Sequence, residues 1–331
     1  MKEIKIYAIF FFIFTSFFLF FAYYSHAQQT IKLTVSPPNQ QINVKPGMQT
    51  RIQVKFFNAS SEAVAGFIKT ADFVVTNKDG SPDLIYVSPE NNKYSAASWL
   101  TPLEPRVNIA ANTPYTATVM VNVPTNVSGC GHYAAVYFEP APAGLGAKSG
   151  SQISFKLTSL VYFIVDEKEC IEKAYLNKIE APKFLEYGPI PVSIEILNRS
   201  DYHISPQGYV ELLDFTNKQV STTTLANYNI FPDSIRKYDL KIGSKWMFGR
   251  YKINFAAGYG KTGQAIKGFN YIWVFPWRVT LIVLLTITTL ILIINNIYKN
   301  TVIKESLLEK EIEKEKKEIE ELKKQLRKKS D

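Results

Sequence analysis

The chain has 331 residues, is 46% apolar and 14% aromatic, and carries 38 Lys and Arg against 29 Asp and Glu. This composition excludes wholesale disorder, and a total of three His excludes most metal sites built from several imidazoles. Much of the net charge of +9 is spread over residues 28–276 without blocks. Because a nucleic-acid-binding protein usually concentrates its basic residues in a stripe, we expect no nucleic-acid partner.

Residues 1–27 have the features of a secretory signal peptide. Lys2 and Lys5 precede an apolar run from Ile6 to Tyr24, and Ser25-His26-Ala27 places small residues at the −3 and −1 positions of a cleavage site. The run is longer than the roughly 7–15 residues of an ordinary signal core, so an uncleaved signal anchor stays open as the alternative. In both cases we predict that the residues after Ala27 are exported.

The region from 31 to 271 is dominated by period-two alternation and by β-branched or aromatic runs, which predicts strands. Several markers also occur twice in the same order, which indicates an internal repeat. The pairs are Gly47 and Gly188, Asn58-Ala59-Ser60 and Asn198-Arg199-Ser200, and Gly131-His132-Tyr133 and Gly249-Arg250-Tyr251. We therefore predict an all-β fold of two tandem Ig-like β-sandwich domains, at 28–168 and 169–276.

Two cysteines, Cys130 and Cys170, both fall in the predicted exported region. An even count in an oxidising compartment favours a disulfide. Such a bridge would close a loop of about 40 residues and contribute about 3–4 kcal/mol in the chain-entropy model. Two free thiols remain the open alternative, since some exporting cells use few disulfides.

The predicted first domain carries extra chain between about Asp72 and Trp99, rich in Ser, Pro, Asn and Asp. Insertions of this kind are usually surface loops, and loops often carry function. Tyr94 and Trp99 are the ligand-binding candidates here, because a flat aromatic ring matches the apolar face of a sugar. The alternative is that Trp99 packs against the end of the sandwich.

No catalytic, metal or cofactor site is predicted. Outside the leader only His132 and His203 are available for acid–base work, and a G-x-S-x-G motif is missing. Gly260-Lys261-Thr262 resembles the end of a P-loop, but Phe255 stands where the first glycine is required. Asp79, Asp83 and Glu90 lack the spacing of a calcium loop. We predict that the protein is not an enzyme.

An uncharged apolar run extends from Val279 to Ile294. As a helix it reaches about 24 Å, and its flanking residues can complete the roughly 30 Å hydrocarbon core of a membrane. We predict a single transmembrane helix at 277–298. Because such a helix halts an exported chain, residues 28–276 are expected outside the cell membrane and the C-terminal tail in the cytoplasm.

The tail, residues 299–331, is predicted to be a charged helix. Five of its apolar residues and two glutamates occupy the a and d positions of one heptad frame, which is compatible with a coiled coil and a homodimer. These positions are Leu308, Ile312, Ile319, Leu322 and Leu326, with Glu305 and Glu315 in the remaining two. A solvated single helix is the alternative, since two charged seam positions weaken the pairing.

Three segments carry a resemblance to a known family: LTVSPPNQQINVKPGMQTRIQVKFFNAS at 33–60, SAASWL at 95–100 and VNVPTNVSGCGHYAAVYFEP at 121–140. They resemble the WxL-interacting proteins of Gram-positive cell surfaces. The resemblance implies a peptidoglycan-binding Ig-like domain, a second Ig-like domain that binds a host, and a membrane helix with a tail. It covers the predicted first domain well and the second loosely.

These observations favour a non-enzymatic, membrane-anchored cell-surface protein. Its exported Ig-like domains are expected to bind cell-wall glycan or a surface protein partner, without a cofactor. The alternative is a signalling or assembly subunit that couples ectodomain contact to a dimerising cytoplasmic helix.

Overall fold

The computed structural model describes residues 32–86, 92–127, 129–141, 155–165 and 170–329. The predicted signal peptide lies outside the described residues. Strands make up about half of the structure, and a single long helix follows them. The expectation of a mostly β chain that ends in a helix is therefore confirmed.

The first compact unit comprises the described residues up to Tyr175, together with Leu197–Ile204 and Asn229–Arg236. It forms a four-stranded sheet in the order β1-β3-β8-β6 and a sheet in the order β2-β10-β9-β4-β5, in which β7 also pairs with β4. The strands are β1 (Leu33–Ser36), β2 (Asn39–Val44), β3 (Gln49–Asn58), β4 (Val64–Val74), β5 (Asp83–Ile85), β6 (Leu100–Pro102), β7 (Arg106–Ile109), β8 (Pro114–Asn122), β9 (Cys130–Pro140) and β10 (Leu157–Val165).

The two sheets of this unit bury one shared core between them. In β3 every second residue from Ile52 to Asn58 is buried, as the period-two pattern of its sequence predicts. Phe56 of β3 and Phe138 of β9 meet in this core with ring centroids 6.0 Å apart. Strand β9 is buried on both faces over most of its length, because a second cluster of aromatic side chains covers its outer side. That cluster consists of the aromatic residues Phe73, Tyr133, Tyr162 and Phe231, together with Ala135.

The second compact unit comprises Leu176–Ile196, Ser205–Tyr228 and the chain from Lys237 onward. The remaining sheets have the orders β11-β13-β16 and β12-β18-β17-β14-β15. Since the two units interleave along the chain, the domain boundary at 168/169 stays a prediction. The strands are β11 (Ala174–Glu180), β12 (Phe184–Leu185), β13 (Ile190–Asn198), β14 (Gln207–Leu213), β15 (Gln219–Thr224), β16 (Ile235–Ile242), β17 (Gly249–Tyr259) and β18 (Gln264–Val274).

Helix α1 (Trp277–Lys329) follows β18 after only two residues. Its most apolar stretch has a mean hydropathy of 2.3, and none of that stretch is buried within the protein. The hydroxyls of Thr286, Thr288 and Thr289 each donate to the carbonyl four residues earlier at 2.8 Å. They therefore require no external partner, which suits an apolar surrounding. By length and composition α1 is the one candidate membrane span in the described part of the chain.

The two Asn-x-Ser markers of the predicted repeat form the same hydrogen-bond network. Asn58 and Asn198 are both fully buried. The Oδ1 of each accepts the backbone N–H of the Ser two residues later, at 2.9 and 2.8 Å. The Nδ2 groups donate to carbonyls of distant segments, Ile109 at 3.0 Å and Ile230 at 2.8 Å respectively. Each marker thus joins the end of a central strand to a remote part of the chain.

Cys130 and Cys170 form a disulfide, with Cα atoms 5.4 Å apart. Cys130 is 5% exposed and has a φ of +85°, which side chains rarely adopt. Gly129 and Gly131 flank it, and a Cβ at Gly131 would lie 2.4 Å from the hydroxyl of Tyr133. The bridge therefore sits at a tightly constrained entry to β9.

Candidate functional site

The structure places Trp99 in the core and not on a binding surface. Its side chain lies at the end of a short 3-10 helix (Ala97–Trp99) and is 5% exposed. The ring centroid is 4.7 Å from that of His132 and 5.4 Å from that of Phe163. Because neighbouring side chains cover this ring, it cannot stack on an external sugar. The packing alternative for Trp99 therefore fits, and the ligand-binding interpretation of this residue does not.

Asp72 holds the segment before Trp99 in place. This buried carboxylate accepts the Ser95 hydroxyl at 2.5 Å and the N–H groups of Ala96 and Ala97 at 3.0 and 2.8 Å. Such charge-assisted bonds are stronger than neutral ones. Asp72 is therefore the reason that the C-terminal part of the insertion folds onto the sandwich.

Tyr94, the other candidate, lines a small cleft at the surface of the first unit. The ammonium of Lys93 lies 4.7 Å from the ring centroid of Tyr94 and 3.7 Å from a carboxylate oxygen of Asp201. Burial raises the pKa of the Tyr94 hydroxyl. The cleft holds about 240 Å³, less than the roughly 300–1,000 Å³ of ordinary ligand pockets. Its lining consists of Phe73, Val74, Val75, Asn92, Tyr94, Tyr133, Phe231, Pro232 and Asp233.

Below this cleft the aromatic cluster encloses His203. The backbone N–H of His203 donates to the Tyr133 hydroxyl at 2.7 Å, and its ring Nε2 lies 3.1 Å from Gln41 Oε1. Since that oxygen only accepts, Nε2 carries the proton and Nδ1 faces the Tyr133 hydroxyl at 3.3 Å. Burial lowers the pKa of His203 to about 4. The residue is therefore neutral at physiological pH and serves the packing of the cluster.

An exposed aromatic surface lies in the second unit, on the outer face of the sheet that contains β17 and β18. Phe269, Tyr271 and Trp273 alternate with inward residues along β18 and are 58%, 42% and 55% exposed. Arg250 lies 4.3 Å above the ring of Tyr271, and Lys252 lies 5.0 Å above that of Phe269. We call this surface, formed by these five side chains, the aromatic face.

The strand register gives the aromatic face its geometry. Trp273 is paired with Arg250 and Tyr271 with Lys252 across the β17–β18 ladder. The rings of Phe269 and Tyr271, two residues apart on β18, have centroids 5.7 Å apart and planes inclined by 69°. Farther along the same face, Lys267 is exposed, and Glu211 accepts a hydrogen bond from Asn254 at 3.3 Å. The surface is therefore aromatic and predominantly cationic, and it includes a cleft of about 240 Å³ lined in part by Arg250, Lys252 and Tyr271.

This arrangement of rings and cations is suited to binding. Within the described residues there is no group of three or more His, Cys, Asp and Glu that could hold a metal ion. Aromatic rings in a row can stack against successive apolar faces of a polymer, and nearby cations attract its acidic groups. The sequence signal for the aromatic face is the alternation in FNYIW at 269–273, which by itself predicts a strand.

Comparison with known proteins finds no matching family model and no matching curated protein. Among solved structures, the class 5 fimbriae chaperone CfaA has 14% identity over 72% of this chain and 99% of its own, with a TM-score of 0.37. The E. coli chaperone DraB has 10% identity over 74% and 98%, with a TM-score of 0.33. PapD-like domain 7 of human CEP192 has 11% identity over 44% and 97%, with a TM-score of 0.28. Similarity this low carries no argument about function.

Proposed function

We propose that this protein is a non-enzymatic, membrane-anchored cell-surface protein whose exported region binds an acidic cell-wall glycan through the aromatic face. The observation that carries the proposal is the row of three exposed aromatic rings on β18 with Arg250 and Lys252 beside them. A soluble surface has no packing reason to expose three large rings in a row. The resemblance to WxL-interacting proteins also implies glycan binding, but it assigns that binding to the first Ig-like domain, whereas the aromatic face lies in the second unit.

The chemistry of the aromatic face favours a glycan over a compact small molecule. The face is open, so a ligand must gain its affinity from repeated weak contacts and not from enclosure. Cation–π pairs at exposed sites contribute about 0.5–1 kcal/mol each, and here they also hold the rings in position. A polymer that occupies several such sites gains from effective concentration.

Anchoring is proposed through α1. Its apolar segment begins directly after β18, and Arg278 in its first turn lies 3.5 Å from Glu186 of the second unit. With residues 28–276 outside the membrane, Phe269 and Tyr271 are presented to the cell wall, Trp273 lies at the end of β18 nearest the membrane, and the charged tail enters the cytoplasm. This single-pass topology rests on the apolar run and on the predicted export signal.

Removing two rings of the aromatic face is expected to weaken retention on purified cell wall. Full-length protein with Phe269→Ala and Tyr271→Ala should bind about tenfold less tightly, the effect of roughly 1.4 kcal/mol. Tyr175→Ala, which removes another exposed ring, should bind like the unaltered protein. Binding should also weaken as salt is raised, because Arg250 and Lys252 contribute screened charges.

Two outcomes would contradict this proposal. Equal retention of the double variant and the unaltered protein would show that the aromatic face is not used. Retention that is lost when the wall is treated with protease, but kept when its glycan is digested, would identify a surface protein as the partner.

A second candidate function, a signalling or assembly subunit, is favoured by the tail of α1. The seam positions Leu308, Ile312, Ile319 and Leu322 are all at least 50% exposed. The side chains of Leu326 and Glu305 lie outside the described residues. Glu313 and Lys317 form a 3.0 Å ion pair along the helix, which stabilises the helix itself. An exposed apolar seam on a continuous helix is what a second copy of the chain would cover.

Ile319→Lys is expected to abolish chemical crosslinking of full-length protein in membranes. The substitution places a charge in the centre of the seam, where burying it costs more than the pairing of two short helices supplies. The control is Leu307→Lys, since Leu307 is similarly exposed but lies off the seam. Crosslinking that persists in Ile319→Lys would identify the tail as a solvated single helix.

A further inference from the structure

The strand register brings several separate loops of the second unit to the end of the sheet where α1 begins. β18 leaves the sheet at Val274, and its register partner Gly249 is the first residue of β17. The loop before β17 therefore lies at this end. β14 ends at Leu213, opposite Lys252 near the start of β17, so the turn between β14 and β15 lies there as well.

These loops carry the most exposed aromatic side chains of the unit outside the helix. Phe215 is 81% exposed, Phe248 68% and Trp246 63%. The ring of Phe248 lies 5.2 Å from that of Phe275, two residues before α1. The ring of Trp246 lies 5.4 Å from that of Tyr187. We call Phe215, Trp246 and Phe248 the collar.

Basic side chains accompany the collar. Lys245 lies 5.8 Å from the ring centroid of Trp246, and Lys218 closes the turn that carries Phe215. The carboxylate of Asp214 is occupied by the Thr216 and Lys218 N–H groups of the same turn. Amphipathic aromatic rings with adjacent cations are the side chains that favour the headgroup region of a bilayer, where the cations meet anionic lipids.

We propose that the collar lies in the headgroup region of the membrane that α1 enters, so that this end of the second unit rests on the lipid surface. The inference rests on the proposed membrane anchoring. The occupant is lipid because the collar is continuous with the apolar helix. Phe248 packs on Phe275, and Trp277 begins α1, so a bilayer that surrounds the helix from its first turns meets the collar at the same height. In this position the three large rings of the collar lie in the lipid headgroup region, which aromatic side chains prefer, and not in water.

A fluorescent label can locate the collar relative to the lipid. Full-length protein carrying Trp246→Cys is labelled with an environment-sensitive fluorophore without reductant, which leaves the Cys130–Cys170 disulfide intact. It is reconstituted into vesicles of phosphatidylcholine and phosphatidylglycerol that contain a lipid with a nitroxide near the top of its acyl chain. Tyr228→Cys is the matched control, because Tyr228 is also a half-exposed aromatic residue but follows β15 at the opposite end of the sheet.

We expect emission from position 246 to shift to shorter wavelength and to be quenched several-fold more strongly than emission from position 228. Equal quenching at the two positions, with the protein floating with the vesicles, would overturn the collar proposal and leave the anchor intact. Protein that fails to float with the vesicles would overturn the anchor, and the collar proposal with it. Phe248→Cys provides the second labelled variant if Trp246→Cys does not fold.

Discussion

Asn58→Ala is expected to lower the free energy of unfolding by about 3 kcal/mol, since each buried polar group left without a partner costs roughly 1–3 kcal/mol. The Asn58 side chain is fully buried and serves four backbone groups at once. Its Nδ2 donates to the carbonyls of Glu62, Ile109 and Ala110, and its Oδ1 accepts the N–H of Ser60. Alanine would leave the buried carbonyl of Ile109 without this partner, and the other three groups, which are partly buried, would lose their bonds as well.

The measurement is chemical unfolding of the full-length protein in nonionic micelles, followed by Trp fluorescence. Asn108→Ala is the matched control, because Asn108 is exposed on β7 beside the buried Ile109; its effect should stay within about 0.5 kcal/mol. Asn198→Ala should behave like Asn58→Ala, since the two residues have equivalent networks. A loss below about 1 kcal/mol for Asn58→Ala would show that water can replace its bonds.

The protein is expected to lose about 3 kcal/mol of stability through His203 as the pH falls from above 6.5 toward 4. Burial lowers the folded-state pKa of His203 from its ordinary value of 6.5 to about 4. Between these two values the unfolded chain binds a proton that the folded protein does not bind. Acidification therefore favours unfolding, and the contribution is fully present only above the unfolded pKa.

His203→Gln isolates this effect, because glutamine is polar but does not titrate. Urea unfolding at pH 7 and pH 4.5 should show a large drop in stability for the unaltered protein and a clearly smaller one for the variant. The rings around His203 belong to Tyr133, Tyr162, Tyr202 and Phe231, none of which titrates in this window. The same drop in both proteins would assign the pH dependence to other groups.

The local turn chemistry could be predicted from the sequence, since it depends on neighbouring residues. The Asn-x-Ser markers at 58 and 198 were visible as a repeat because an Asn that bonds the backbone two residues later needs a fixed spacing. The strand alternation in β3 was visible for the same reason. The remote partners of Asn58 and Asn198 could not be predicted, because residues 109 and 230 reach them only through the sheet topology.

The sequence alone does not show which aromatic side chains are exposed. The composition of the insertion at 72–99 predicts that Trp99 lies on a surface loop. Instead, hydrogen bonds to Asp72 hold that segment against the core, and the bonded residues are more than twenty positions apart in the chain. For the aromatic face, FNYIW at 269–273 predicts a strand correctly, but the pattern does not show which side is covered, because the side with three aromatic rings is at least as apolar as the side with Asn270 and Ile272. Which face is covered depends on the sheet behind it, and that sheet is remote in sequence.

The two-residue junction between β18 and α1 also has a mechanical meaning. Tension on the ectodomain passes into the helix without first straightening a slack linker, and Pro276 stiffens the joint by fixing its own φ. β17 and β18 are paired along the full eleven residues of each strand. A load along β18 is therefore carried by all of these pairs together, in shear, and not by opening one pair after another. The strand that bears the aromatic rings is itself the tether, so a force on a bound polymer reaches the membrane by the shortest covalent path that the chain provides.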